Sequence, residues 1–277
     1  MEPWRPWDAS DDEYEDLLVV RELIPPTLRE PLMAWLAGAL TSDRWVSEAR
    51  YHFIQSSLRR RLDASSLHVD AVTHAIEEQG DRFLLQVVDL LLANGTSTED
   101  VRDALVLEAH MRLNASALKV DNSSGVNRLR RRMVEGVEES MQIAVDAALS
   151  LPAVHLANAV RQIQSLEPNT SEAMAEAIRA VEQAARAVVT PKDKQARLGK
   201  IVAALREKQG WSLALQQRDD GEPNHQEVLI GMLETLAFAQ QNRHGGAAPG
   251  ADEATAHVLL ASTLVGWFST GAVRMPA

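Results

Sequence analysis

Apolar residues recur at spacings of three and four along most of this sequence, and this period constrains the fold more than any other feature. It places apolar side chains along one side of a helix, so most of the chain is predicted to form amphipathic helices. The stripe nearest the C terminus contains Ala254, Val258, Ala261, Val265 and Phe268. The pattern predicts an all-α protein whose helices bury these stripes against one another.

One segment departs from the helical period. In ASALKVDNSSGVNRLR (115–130), Leu118 and Val120 alternate with polar residues, a turn-rich loop follows, and Leu129 lies among polar neighbours. Alternation on both sides of a turn is typical of two paired strands. We therefore expect a short β-hairpin near 115–130.

The segment LEPNTSEA (166–173) is the best candidate for a domain boundary, because it joins a proline to two residues that favour helix starts, Thr170 and Ser171. The sequence is thus divided into an acidic N-terminal tail (1–16), a multi-helical N-terminal region with the hairpin insert (17–165) and a C-terminal four-helix bundle (166–277). The first three bundle helices have these apolar stripes: Met174, Ile178, Val181, Ala185 and Val188; Leu198, Ile201, Val202 and Leu205; Val228, Met232, Leu236 and Ala239.

Composition limits the function. The 277 residues have a net charge of −11 and include no cysteine. Disulfides and zinc–thiolate sites are therefore excluded, and a broad basic face for non-specific nucleic-acid binding is not expected. The N terminus has neither the basic nor the apolar region of a secretory signal, and Val258–Phe268 is shorter than the roughly 20 residues of a membrane span. We expect a cytoplasmic protein with no membrane partner.

Motifs for metal or nucleotide chemistry are not present in the sequence. LGK at 198–200 has neither the glycine nor the hydroxyl residue that a phosphate-binding loop requires around it, and the eight histidines form no HExxH pair. No metal and no cofactor is therefore expected. Two arginine clusters, Arg59–Arg61 and Arg128–Arg132, are candidates for phosphate contacts, and the alternative is a solvated helix face and a charged hairpin edge.

The stretch AQQNRHGG (239–246) ends the third helix of the predicted bundle. In one interpretation it is an ordinary helix end, with Gly245 in a left-handed conformation and Arg243 and His244 against the negative end of the helix dipole. In the other it is a site, in which Gly245 and Gly246 let a substrate backbone approach Arg243 and His244. Sequence physics alone leaves both interpretations open.

Four segments, in their order and spacing, resemble the C-terminal helical module of bacterial abortive-infection proteins, which belongs to the HEPN superfamily. They are SEAMAEAIRAVEQAARAVV, KQARLGKIVAALR, EVLIGMLETLAFAQQNRHGG and ATAHVLLASTLVGWF. The hairpin that precedes them also resembles the corresponding segment of such proteins. The resemblance covers roughly residues 166–272 and implies a dimeric HEPN-like four-helix bundle.

The resemblance also implies a chemistry. Active HEPN domains are metal-independent ribonucleases whose histidine acts on the ribose 2′-hydroxyl while an arginine stabilises charge on the phosphate. His244 and Arg243 match these roles, with Asn242 as the polar member of the motif. Arg243 adjoins the histidine here, whereas the family places the arginine four to six residues away.

The resemblance adds Glu182 as an acidic residue that faces the site. Its alternative is a pair of surface ion pairs, with Arg179 three residues before it and Arg186 four residues after it. The sequence leaves open which of the two describes Glu182.

The leading interpretation is an abortive-infection or toxin-like ribonuclease that acts in anti-phage defence or stress. The alternative is a catalytically inert HEPN-like module that binds RNA, a nucleotide or a protein partner. The partners expected from the resemblance are a second copy bound through the C-terminal bundle, RNA, and a phage or host trigger or an antitoxin.

Overall fold

Helices dominate the structure, a computed structural model. It describes residues 10, 22–95, 98–123, 125–208, 210–218, 221, 223–242 and 248–276, without the side chains of 98–101, 135 and 240–242. Helices account for 64% of the chain, and the prediction of a mostly helical protein is confirmed. None of the described helices combines the length and the apolar character needed to cross a bilayer. The chain forms two compact units, divided between Arg132 and Met133.

The first unit is built on α1, whose leucines recur at every fourth position. Leu28, Leu32, Leu36 and Leu40 are all buried, because this spacing keeps them on one helix face. That face packs against α3, α4 and α5. The helices of this unit are α1 (Pro26–Leu40), α2 (Glu48–Leu58), α3 (Val69–Glu77), α4 (Asp81–Asn94) and α5 (Thr98–Leu113).

The predicted hairpin is present and completes the first unit. Strands β1 (Leu118–Asp121) and β2 (Arg128–Arg131) are antiparallel, with Leu118 opposite Arg131. Asp89 of α4 holds this hairpin: it accepts hydrogen bonds from the Arg128 guanidinium (2.6 Å to Nη2) and from the Leu129 backbone N–H (2.8 Å). The hairpin is thus attached to the helical core by a charged side chain as well as by the buried Leu118 and Leu129.

The described residues of the second unit form six helices around one core. They are α6 (Glu135–Ala147), α7 (Ser150–Ile163), α8 (Thr170–Val189), α9 (Leu198–Glu207), α10 (His225–Asn242) and α11 (Ala251–Ser269). The 20-residue α8 lies at the centre and packs against α7, α9, α10 and α11. Two short strands that the sequence did not indicate, β3 (Ser212–Leu213) and β4 (Val273–Arg274), pair beside the buried Trp211.

The predicted apolar stripes agree with the observed burial on α8, α9 and α11, and only in part on α10. On α9 the whole stripe is buried: Leu198, Ile201, Val202 and Leu205. All five residues of the α11 stripe are buried, and so are Met174, Ile178, Val181 and Ala185 of α8. Among the described side chains of α10, the buried ones are His225, Leu229, Leu233 and Leu236, of which only Leu236 belongs to the predicted stripe. Met232 and Ala239 of that stripe are partly buried, and Val228 is 41% exposed. The apolar run of α10 includes residues on several faces, so its sequence period did not distinguish the buried leucines from their neighbours.

The two units divide between residues 132 and 133, whereas the sequence predicted a domain boundary between residues 165 and 166. Helices α6 and α7, assigned there to the N-terminal region, share the core of the second unit through Met141, Leu156 and Ile163. Only six residues connect α7 to α8, so the two helices pack closely as neighbours. The proline-containing connection is therefore a turn within the second unit.

Candidate functional site

The residues singled out by the resemblance differ in how far the structure describes them. Asn242 is the last residue of α10, and its side chain is outside the described part of the chain. Arg243, His244, Gly245 and Gly246 lie outside the described residues, so neither the helix-end nor the active-site interpretation of them is tested. The description of the candidate site rests on Glu182.

Glu182 lies on α8 with only 2% of its side chain exposed, surrounded by donors. Its Oε1 accepts a hydrogen bond from the backbone N–H of Leu198 (3.0 Å), and its Oε2 accepts one from Nη1 of Arg197 (3.2 Å). Nη2 of Arg186, one turn further along α8, lies 3.6 Å from Oε2. This carboxylate therefore caps the start of α9 from a neighbouring helix, since the Arg197 side chain makes no cap hydrogen bond of its own.

The ion-pair alternative for Glu182 is half right. The pair with Arg186 is present, but Arg179 instead contacts Glu172 and Glu176. Glu182 is also buried, whereas the predicted surface ion pairs would leave it exposed to solvent. A buried carboxylate is costly unless its charge is paired and its lone pairs are used, and both conditions are met here.

These contacts give Glu182 a positioning role. Its two oxygens are engaged by a backbone N–H and two guanidinium groups, so it holds these two cations in place. Arg186 is largely buried, and its Nη1 also donates to the Lys194 carbonyl (2.6 Å). Arg197 remains 77% exposed, so its guanidinium is fixed at one nitrogen by Glu182 and open to solvent elsewhere.

The first residue of α9 and the last residue of α10 lie at the same end of the second unit. Gln226, near the start of α10, donates to the Trp211 carbonyl just after α9, and Glu234 accepts from Arg206 in the last turn of α9. Helix α10 therefore runs back along α9 in the opposite direction. Eight residues separate Leu198 from Arg206 and eight separate Glu234 from Asn242, about 12 Å of helix in each case. Arg197 and Asn242 are thus brought to one end of the antiparallel pair.

A second charged cluster joins α7 to α8. Glu176, buried on α8, accepts hydrogen bonds from Nδ1 of His155 (2.7 Å), from Asn158 (3.4 Å) and from Arg179. Burial acts to raise the pKa of the Glu176 carboxyl, but the hydrogen bonds from His155, Arg179 and Asn158 outweigh it and hold that pKa below its ordinary value. The sequence did not indicate this cluster, since His155 and Glu176 are 21 residues apart. The one available signal was an acidic residue within the apolar stripe of α8.

The two arginine clusters of the first unit are engaged in local contacts. Arg128 and Arg132 form ion pairs with Asp89 and Glu108, at 2.6 and 2.8 Å. Arg61 pairs with Asp63, and the guanidinium of Arg60 lies 5.8 Å from the centre of the Phe83 ring. These contacts agree with the charged hairpin edge for one cluster and with local surface pairing for the other.

Comparison with known proteins adds no assignment. No protein-family model matches the sequence, and no curated protein and no solved structure matches it significantly. In the described part of the chain, no three histidine, aspartate or glutamate side chains come together in a way that could hold a metal ion. Inferences about function therefore depend on the sequence resemblance and on the geometry around Glu182.

Proposed function

We propose that the second unit is a metal-independent endoribonuclease of the HEPN type that acts in anti-phage defence or stress. In this proposal His244 removes the proton of a ribose 2′-hydroxyl, since a neutral imidazole is available for that role near pH 7. Arg243 and Asn242 contact the phosphate, and Gly245 and Gly246 leave room for the RNA backbone. The 2′-oxygen attacks the adjacent phosphorus, the 5′-oxygen leaves, and a cyclic phosphate end results.

The observation that carries the proposal is the Glu182–Arg197 pair at the start of α9. Cleavage requires positive charge beside the phosphate, and Arg243 adjoins His244 where the family separates the two residues. Arg197 is a second cation held on a buried carboxylate, at the end of the helix pair from which the chain continues directly into Arg243. An arginine fixed in advance loses less conformational entropy when it binds phosphate. Glu182 then serves the site by positioning Arg197.

The resemblance also supports a homodimer through the C-terminal bundle and control by a phage or host trigger or an antitoxin. The cysteine-free composition supports a cytoplasmic location. These belong to the same proposal. The dimer is open to a direct test by light scattering of the purified chain, and a monomer at every concentration measured would contradict it.

The second candidate function is an inert HEPN-like module that binds RNA, a nucleotide or a protein partner. The adjacency of Arg243 and His244 in the sequence favours it, because the active family separates its arginine and histidine by four to six residues. The net charge of −11 limits any RNA contact of such a module to a local site.

RNA cleavage by the purified chain in the presence of a chelator separates the two functions. His244→Ala is expected to abolish cleavage, and Arg197→Ala to reduce it by roughly 100- to 1,000-fold, the range for loss of one group that stabilises transition-state charge. Arg206→Ala is the matched control, since Arg206 is an exposed, ion-paired arginine at the opposite end of α9. Cleavage that persists without His244 contradicts the site. RNA binding without any cleavage supports the inert module.

A further inference from the structure

A groove runs between α6 and α11 in the second unit, apart from the Glu182 region. It encloses about 390 Å³ and is lined by seven residues between Gly136 and Ala147 on α6 and by six residues between Leu259 and Thr270 on α11. None of these lining residues carries a charge. In a chain with 24% charged residues, an uncharged groove is a notable surface.

The length of this α6–α11 groove matches that of a short helix. Its lining spans eleven residue steps on each wall, which corresponds to about 16 Å or three helical turns. At the floor the two walls approach closely, since a Cβ atom built on Gly266 would lie 3.7 Å from that of Ala144. Two helices that meet along a floor and open outwards form the kind of groove in which a third helix packs.

Three of the four hydroxyl groups in the groove are turned towards their own helices. Ser140 donates to the Gly136 carbonyl (2.7 Å), Thr263 to the Leu259 carbonyl (3.2 Å) and Thr270 to the Gly266 carbonyl (2.8 Å). These side chains therefore present mostly carbon atoms to an incoming surface. Ile143 is 60% exposed at the rim, so the groove is open and offers apolar contact to its occupant.

All charged residues of the two groove helices are acidic. Glu139 and Asp146 are exposed, and they lie four residues before and three residues after Ile143, on the same side of α6. Helix α11 begins with Asp252 and Glu253. The sequences of α6 and α11 contain no lysine or arginine. A second copy of this chain would bring the same acidic helices against these, which disfavours self-association here and favours a basic occupant.

We propose that the α6–α11 groove binds an amphipathic helix of a different protein, with about three turns of apolar side chains flanked by lysine or arginine. The apolar stripe packs between α6 and α11 and covers Ile143. The basic flanks pair with Glu139 and Asp146. This inference is independent of the proposed ribonuclease activity, because no residue of the groove belongs to the Glu182 region.

Two synthetic helical peptides test the proposal with the full chain. Both have the same apolar stripe, one with lysine and arginine flanks and one with glutamate flanks. Fluorescence anisotropy is expected to show binding of the basic peptide, at least about tenfold tighter than that of the acidic peptide, with the difference shrinking as salt is raised.

Variants locate the binding. Ile143→Asp and Ala147→Trp are each expected to weaken binding of the basic peptide by at least about tenfold. The first places a charge against the apolar stripe of the peptide, and the second fills space in the groove. The double variant Glu139→Lys/Asp146→Lys is expected to reverse the preference between the peptides. Leu113→Asp is the control, because Leu113 is 81% exposed on α5 of the first unit. Circular dichroism verifies that each variant is folded.

Three results would overturn the proposal. The first is no binding of either peptide up to about 1 mM. The second is equal binding of the basic peptide to the Ile143→Asp and Leu113→Asp variants. The third is a homodimer that Ile143→Asp dissociates, since that would assign the groove to a second copy of the chain.

Discussion

Nδ1 of His155 donates a 2.7 Å hydrogen bond to Glu176, and this contact joins the middle of α7 to the first half of α8. Because a carboxylate only accepts, the ring proton lies on Nδ1. Arg179 and Asn158 complete the set of donors around the same carboxylate. Two helices that also share an apolar core are thus fixed in register by one buried acid.

Replacing Glu176 by glutamine is expected to destabilise the chain by about 1–3 kcal/mol, because His155 and Arg179 lose a charged acceptor in a buried position. The effect depends on pH. The folded-state pKa of Glu176 lies below its ordinary value of 4.5, so its stabilising contribution is complete above about pH 4.5 and is lost as the pH falls through the lower folded value.

Urea unfolding of the wild type and of Glu176→Gln at several pH values measures this. The difference between the two proteins should be constant near neutrality and shrink in acid. A difference that grows as the pH falls would show that the pKa of Glu176 is raised instead.

Asp89→Asn is expected to lower the free energy of unfolding by about 1.5–3 kcal/mol, the value for hydrogen bonds to a charged group. Its carboxylate accepts from both Nε and Nη2 of Arg128 and from the Leu129 backbone. Asp63→Asn is the control, since the Asp63–Arg61 pair is exposed and should contribute less than about 1 kcal/mol. Equal effects of the two substitutions in chemical denaturation would show that Asp89 does not anchor the hairpin.

Glu182 and Arg197 should differ in their effect on stability although they are paired. Glu182→Ala is expected to cost about 3–5 kcal/mol, because it leaves the largely buried Arg186 without its carboxylate and uncaps α9. Arg197→Ala should change stability by no more than about 0.5 kcal/mol, since its side chain is exposed. Calorimetric melting of the two variants measures the contrast, and a large loss in Arg197→Ala would assign Arg197 to the core.

Replacing glycine by alanine should have opposite effects on stability at two positions. Gly266 lies inside α11, and a Cβ there makes an ordinary contact with Ala144, so Gly266→Ala should stabilise the chain by about 0.5–1 kcal/mol. Gly80 precedes α4 with a φ of 86°, a conformation that alanine adopts at a cost, so Gly80→Ala should destabilise it by about 1–2 kcal/mol. Thermal melting of both variants measures these changes. A shift of the melting temperature in the same direction for both variants would contradict the opposite effects expected at the two positions.

The sequence predicted the helices and the hairpin because those features are local. The stripe of α11 and the alternation around Leu118 and Val120 follow from side-chain periods of a single element. The sequence did not predict which helices share a core, since α6 and α7 have apolar faces that suit either unit. The sequence also did not predict strands β3 and β4, because two residues are too few to show alternation.

At the candidate site, the sequence singled out Glu182 and its partner Arg186, but not its partners Arg197 and Leu198. The contact to Leu198 depends on how the segment after α8 brings the chain back, and no spacing rule describes such a turn. The same holds for His155 and Glu176, which come together only when α7 and α8 pack. Long-range polar contacts of this kind are set by tertiary structure, and a single sequence does not show them.

The division after Arg132 has a consequence for how the protein is made. Strand β2 ends one residue before it, and α6 begins three residues after it. Every helix and strand of the first unit has therefore been synthesised before the ribosome starts on α6, and the hairpin that closes this unit is the last of them to emerge. The first unit can assemble during translation while the second is still being made, which keeps the apolar faces of the two units from meeting before either has formed its own core.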